Sequence, residues 1–114
     1  MGVIRGSKQN EFLPGTLDML ILRTLQQGPM HGYGIAQFIR QRSSEVLCIG
    51  EGSLYPALQR MQVKGYVSAE WGVSENNRRA RFYRLTRKGE KQLRCEVESF
   101  DRVMEAIAEV MLPG

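Results

Sequence analysis

The sequence predicts a mostly helical α+β fold: three short helices, a β-hairpin and one long C-terminal helix. Three observations carry the prediction. Apolar residues recur at helical spacing through the first half of the chain. The period then changes to two between Val67 and Thr86. From Leu93 to Met111 the apolar intervals run 4, 3, 4, 3 and 4. A chain of 114 residues is most simply one globular unit with a real core, and 42% hydrophobic with 25% charged content suits a soluble one.

Residues 1–11 are polar and Gly-containing and are expected to form a flexible leader. Phe12 and Leu13 are expected to dock on the domain just before Pro14-Gly15. Thr16 is a suitable N-cap for the first helix, and Asp18 suits its positive end. Leu17, Leu20, Ile21 and Leu25 form its stripe, while Met19 and Leu22 make a second side apolar. Gly28-Pro29 ends it. Met30 to Gly34 connect to a second helix over about 33–43, whose core face is Ile35, Phe38 and Ile39. Ser43 to Glu51 read as a polar turn around Val46-Leu47-Cys48-Ile49, an insert with the composition of a short edge strand.

The third helix lies in Gly52 to Tyr66. Ser53 is its expected N-cap and Pro56 is expected in its first turn, where a missing N–H does little harm. Leu54, Leu58 and Met61 share one face; Pro56, Gln59, Arg60 and Val63 lie opposite, with Tyr55 on the flank. Lys64 suits the negative end of the helix dipole, and Gly65 permits a left-handed stop. Val67, Ala69 and Trp71 then alternate with polar residues as in a half-buried strand. Val73 to Arg79 form the hairpin loop, with Asn76-Asn77 able to take positive φ. On the return strand Tyr83 and Leu85 face inward, and Thr86 caps the last helix, about 87–112. Such a helix would be about 39 Å long, more than a domain of this size needs. Its seam of Leu93, Val97, Phe100, Met104, Ile107 and Met111 predicts a homodimer; folding back over the first helix is the alternative.

Charge adds direction. The net charge is +4, and Arg78, Arg79, Arg81, Arg84, Arg87 and Lys88 fall in a stretch with no acidic residue. This points to an anionic partner at the hairpin end. Three helices, a hairpin and a basic tip are the order of a winged helix-turn-helix, in which the third helix enters the major groove of DNA and the wing reaches backbone or minor groove. Cys48 and Cys95 lie far outside metal-type spacing and imply free thiols in a reducing, cytoplasmic setting. There is no Gly-rich phosphate loop, no metal-ligand cluster and no nucleophile that the single His31 could serve. An enzyme, a cofactor, a bound metal and a membrane partner are therefore not expected.

Leu17-Asp-Met-Leu-Ile-Leu, Gly28-Pro-Met-His-Gly-Tyr-Gly-Ile, Gly52-Ser-Leu-Tyr-Pro-Ala-Leu-Gln-Arg-Met and Tyr83-Arg-Leu-Thr-Arg-Lys-Gly resemble the signature blocks of PadR-family transcriptional regulators. Glu70-Trp-Gly-Val-Ser-Glu-Asn-Asn-Arg-Arg-Ala-Arg is similar to the wing of the acidobacterial-type PadR subgroup. The resemblance covers residues 12–112. It implies a dimeric winged-helix repressor whose C-terminal helix supplies most of the dimer contact. A two-fold dimer is expected to prefer an inverted-repeat operator, and the chain is expected to divide into a DNA-binding unit at 12–87 and a dimerisation helix at 88–114. Many members respond to a small molecule, some through an aromatic-walled pore between protomers. Here Trp71 lies in the wing and Phe100 is the one aromatic of the last helix, so an effector stays open.

Base contact falls to Ser53, Tyr55, Pro56 and Gln59, and phosphate contact to Arg60 and Lys64. Arg78, Arg79 and Arg81 are the wing contacts, and Tyr33 anchors the second helix on the backbone. Three of these assignments have a plainer alternative: a buried Tyr55 ring, a solvated basic loop in place of wing contacts, and a Tyr33 used in hinge packing. The competing function is a winged-helix module that binds an acidic protein without specific DNA binding.

Overall fold

The structure is a computed structural model that describes residues 15–114. The expected leader at 1–11, and the docking of Phe12 and Leu13, lie outside the described residues. Four helices and three short strands follow one another: α1 (Thr16–Leu25), β1 (Met30–His31), α2 (Gly32–Arg42), α3 (Glu51–Val63), β2 (Val67–Val73), β3 (Arg79–Leu85) and α4 (Arg87–Met111). The strands make one antiparallel sheet in the order β1-β3-β2. This is the winged helix-turn-helix architecture.

The core forms where the apolar stripes meet. Ile21, Leu22 and Leu25 of α1, Ile35 and Ile39 of α2, and Leu54, Ala57, Leu58 and Met61 of α3 are buried together. Val67 and Tyr83 close it from the sheet, and Leu93 from α4. Thr24, the one buried polar residue of α1, donates its hydroxyl hydrogen to the Leu20 carbonyl at 2.8 Å.

Several local expectations are corrected. Gly15, not Thr16, caps α1: it takes φ 86°, a left-handed conformation, and Thr16 is already helical. The chain from Val46 to Ile49 is not a strand. Ser44 and Glu45 both take positive φ, which reverses the chain and tucks Leu47 and Ile49 against the core instead. The third strand of the sheet is Met30–His31, inside what reads as a loop. It pairs Met30 with Tyr83 and His31 with Phe82, covering an edge of β3 that would otherwise stand open. Helix α3 begins three residues early, at Glu51 with Gly50 rather than Ser53 as N-cap, so Ser53 lies within the first turn and Pro56 in the helix interior. The proline denies the Gly52 carbonyl its usual donor, and both residues are exposed, so water can serve that oxygen.

The end of α3 is a tight junction. Gly65 takes φ +83°, its N–H donates to the Gln62 carbonyl at 3.0 Å, and Tyr66 N–H donates to the Met61 carbonyl at 2.9 Å. That pair of bonds is a Schellman stop. Thr86 locks the other side. Its hydroxyl lies 2.7 Å from the Gly65 carbonyl and 3.0 Å from that of Tyr66, and accepts from Gly89 N–H at 3.0 Å to cap α4. The hairpin between them pairs Val67 with Leu85 through to Val73 with Arg79. Asn77, not Asn76, takes the positive φ of its tip.

Trp71 departs from its expected half-burial and is 56% exposed. Its alternation is right, since it shares a face with buried Val67 and Tyr83, but the hairpin outruns the core before Trp71 is reached. Helix α4 behaves likewise. Its first part packs on α1, and Leu93, expected on an intermolecular seam, is 3% exposed because the protein's own core encloses it. From Asp101 onward every residue is exposed, and the molecule extends 57 × 30 × 21 Å.

Gly89 shows how close the junction is. A Cβ there would lie 2.1 Å from the Tyr66 carbonyl oxygen, a backbone atom that cannot swing aside. Gly89→Ala should therefore destabilise the protein by about 1–3 kcal/mol in urea unfolding. Helix propensity alone would give the opposite sign, a gain of about 1 kcal/mol, so the direction decides.

Candidate nucleic-acid interface

Helix α3 presents its outer side because its inner side is the core. Pro56, Gln59 and Val63 point away from Leu54, Leu58 and Met61 and are exposed. Tyr55 lies on the flank toward α2. Its ring covers Gly32, where a Cβ would come within 2.7 Å of ring carbons, yet it remains 42% exposed. It thus packs and faces outward at once. Burial pushes its phenol above the ordinary tyrosine range, and the Glu51 carboxylate and Tyr83 add to that, so the hydroxyl stays a donor at neutral pH.

The start of α2 forms the next wall. His31 Nδ1 accepts from Gly34 N–H at 3.0 Å and so caps the helix. The imidazole stacks beside Tyr33 and meets Phe82 edge-on, with centroids 5.3 Å apart in the latter pair. Tyr33 is 67% exposed, and its hydroxyl accepts from Gln37 Nε2 at 2.6 Å.

Across from these residues stands the wing. A groove of about 670 Å³ is bounded by His31, Tyr33 and Tyr55 on one side and by Trp71, Arg78, Arg79 and Arg81 on the other. A second of about 430 Å³ adjoins it between α3 and the sheet, lined by Tyr55, Gln59, Gln62, Val63, Arg81 and Tyr83. Tyr55 and Arg81 belong to both. Glu75 is the one carboxylate in either lining, against three guanidinium groups. Phenol and amide groups thus sit beside guanidinium cations along the adjoining grooves.

Six of the ten residues expected at a DNA surface meet here: Tyr33, Tyr55, Gln59, Arg78, Arg79 and Arg81. The other four do not line it. Ser53 is half-buried in the first turn of α3, and Pro56 lies on the adjoining outer face. Arg60 is turned to the opposite flank, where Asp18 of α1 holds its guanidinium. Lys64 is the exposed C-cap residue of α3. Sequence reasoning missed Gln62, Val63 and the wing-facing role of Trp71. The cross-strand pairing of Trp71 with Arg81 was the signal that could have found the last. Among the described residues no three His, Cys, Asp or Glu side chains cluster as a metal site would, and no helix is long and apolar enough to cross a membrane.

Residues 21–95 match the transcriptional regulator PadR-like family. The uncharacterized protein X of Lysinibacillus sphaericus is 30% identical over 99 residues, 87% of this chain and 91% of that protein. A transcriptional regulator from Clostridium thermocellum has a similar structure, with a TM-score of 0.79 at 31% identity, covering 86% of this chain and 95% of that one. A PadR family transcription regulator from hypervirulent Clostridium difficile gives 0.71 at 26% identity, covering 84% and 98%.

Gly32→Ala tests the Tyr55 packing. The ring is the movable end of a half-open side chain, so stability should fall by less than about 1 kcal/mol, below the usual cost of overpacking. Displaced into solvent, the phenol should titrate closer to the ordinary tyrosine range, read by tyrosinate absorbance. A large stability loss with no change in titration would show that the ring cannot yield.

Proposed function

The chain belongs to the PadR-like family of transcriptional regulators, and from that premise we propose that it is a repressor that binds an inverted-repeat operator as a homodimer. The observation that carries the proposal is the shared groove, with Tyr55 and Gln59 of α3 facing Arg78, Arg79 and Arg81 of the wing. Helix α3 enters the major groove, where Gln59 is suited to the paired acceptor and donor of adenine. The wing arginines and Tyr33 meet phosphates on either side. Ser53 and Pro56 border the same outer face, and Lys64 reaches the backbone beyond the end of α3. Arg60 is left out, since Asp18 already neutralises it. The wing stretch Glu70–Arg81 supports assignment to the acidobacterial-type subgroup.

Dimerisation uses the free part of α4. Val97, Met104, Ile107 and Met111 are exposed there with Val103 and Val110, and Phe100 is half-buried beside them. An apolar strip of this length on a helix that leaves its own domain is suited to a copy of itself. A two-fold pair of heads then favours half-sites about 34–36 Å apart, one turn of the duplex.

Selection from random duplex DNA should recover an inverted repeat with that spacing. On it, Arg79→Ala should weaken all sequences alike and lower the salt slope by about one. Gln59→Ala should relax preference at one base position, by about 1–3 kcal/mol. Ile107→Lys should yield a monomer in sedimentation and lose preference for the full repeat over one half-site. A monomeric parent protein with firm half-site binding would overturn the dimer.

A further inference from the structure

We propose that Trp71 is a positioning residue of the wing, holding the guanidinium groups of Arg79 and Arg81 in the arrangement that meets DNA. The inference rests on the reading of the hairpin as a DNA-contacting wing. Trp71 and Arg81 are directly paired across the hairpin, and Arg79 lies two residues along on the same face. The Arg79 guanidinium carbon sits 4.6 Å from the indole ring centroid and that of Arg81 5.7 Å, both within cation–π range. Trp71 is the sole tryptophan of the chain, and it is spent where the core no longer reaches.

Burial does not account for an indole at this place. Its use is local. Two like charges two residues apart repel, and free arginine side chains lose rotamer freedom when a phosphate immobilises them. One aromatic ring within range of both cations opposes the repulsion and takes up that ordering before DNA arrives. Trp, of all side chains, gives the strongest such platform. Arg78, one residue nearer the tip, makes no ring contact among the described residues and serves as an internal control.

The test is a set of coupled substitutions in the full chain, titrated against the duplex recovered by selection. Trp71→Leu should weaken binding about 2- to 10-fold, the range expected for one or two side chains ordered only on binding. It removes no charge, so the salt slope should not change. Trp71→Phe should keep part of the affinity, and it carries the experiment if Trp71→Leu fails to fold. In an Arg79→Ala, Arg81→Ala background the Trp71 substitution should cost almost nothing, whereas in an Arg78→Ala background it should cost as much as in the parent. Without DNA, Arg79→Ala should shift the emission of the single tryptophan. Parent-like binding by Trp71→Leu, where Arg79→Ala binds weakly, would overturn the proposal. So would an undiminished loss in the double-arginine background, because the indole would then touch DNA itself or hold the hairpin. If removing both arginines leaves binding and salt slope unchanged, the wing reading fails and this inference falls with it.

Discussion

The left-handed turn at Gly65 is the constraint on which the other elements depend. It stops α3 with two backbone hydrogen bonds and turns the chain directly into β2. The carbonyls it exposes, those of Gly65 and Tyr66, are taken up by Thr86, which also caps α4. Three elements with different tasks therefore meet within a few residues: the outward-facing helix, the wing and the long tail. Two of these bonds join backbone to backbone and three run through the Thr86 hydroxyl, so directional hydrogen bonds tie the three elements together at the joint. Gly89 belongs to the same joint, since any side chain there would collide with the Tyr66 carbonyl.

From that joint two elements extend past the core. The hairpin carries its inward face beyond Tyr83 into open groove, and α4 carries an apolar stripe beyond Leu93 into solvent. A residue pattern that means burial in a compact domain means display here. The two ends display different chemistry. Cations lie against an indole at the wing, whereas the tail carries valine, methionine and isoleucine between carboxylates. One fold thus carries two surfaces of different chemistry, a cationic one on the hairpin and an apolar one on the tail.

Much of this was legible because it depends on neighbours in sequence. The stripe of Leu54, Leu58 and Met61, the stop at Gly65, the cap at Thr86 and the alternation from Val67 each follow from local geometry. Errors arose where a distant contact decided. Met30–His31 is too short to show a period, and it is a strand only because β3 offers it an edge. Val46–Ile49 has strand composition, but the positive φ at Ser44 and Glu45 turns it onto the core. Ser53 and Thr16 have capping chemistry, but Gly50 and Gly15 occupy the N-cap positions and both residues fall inside their helices.

The candidate interface divides the same way. The inner and outer sides of α3, the concentration of arginine in the hairpin and the heptad of the tail are written in the order of residues, since period and composition are properties of the chain alone. Folding alone brings Arg60 to Asp18, Leu93 into the core, and Tyr55 onto Gly32 in a groove shared with Arg81. Those outcomes depend on which distant groups come within a few ångströms, and no spacing along the chain encodes that distance.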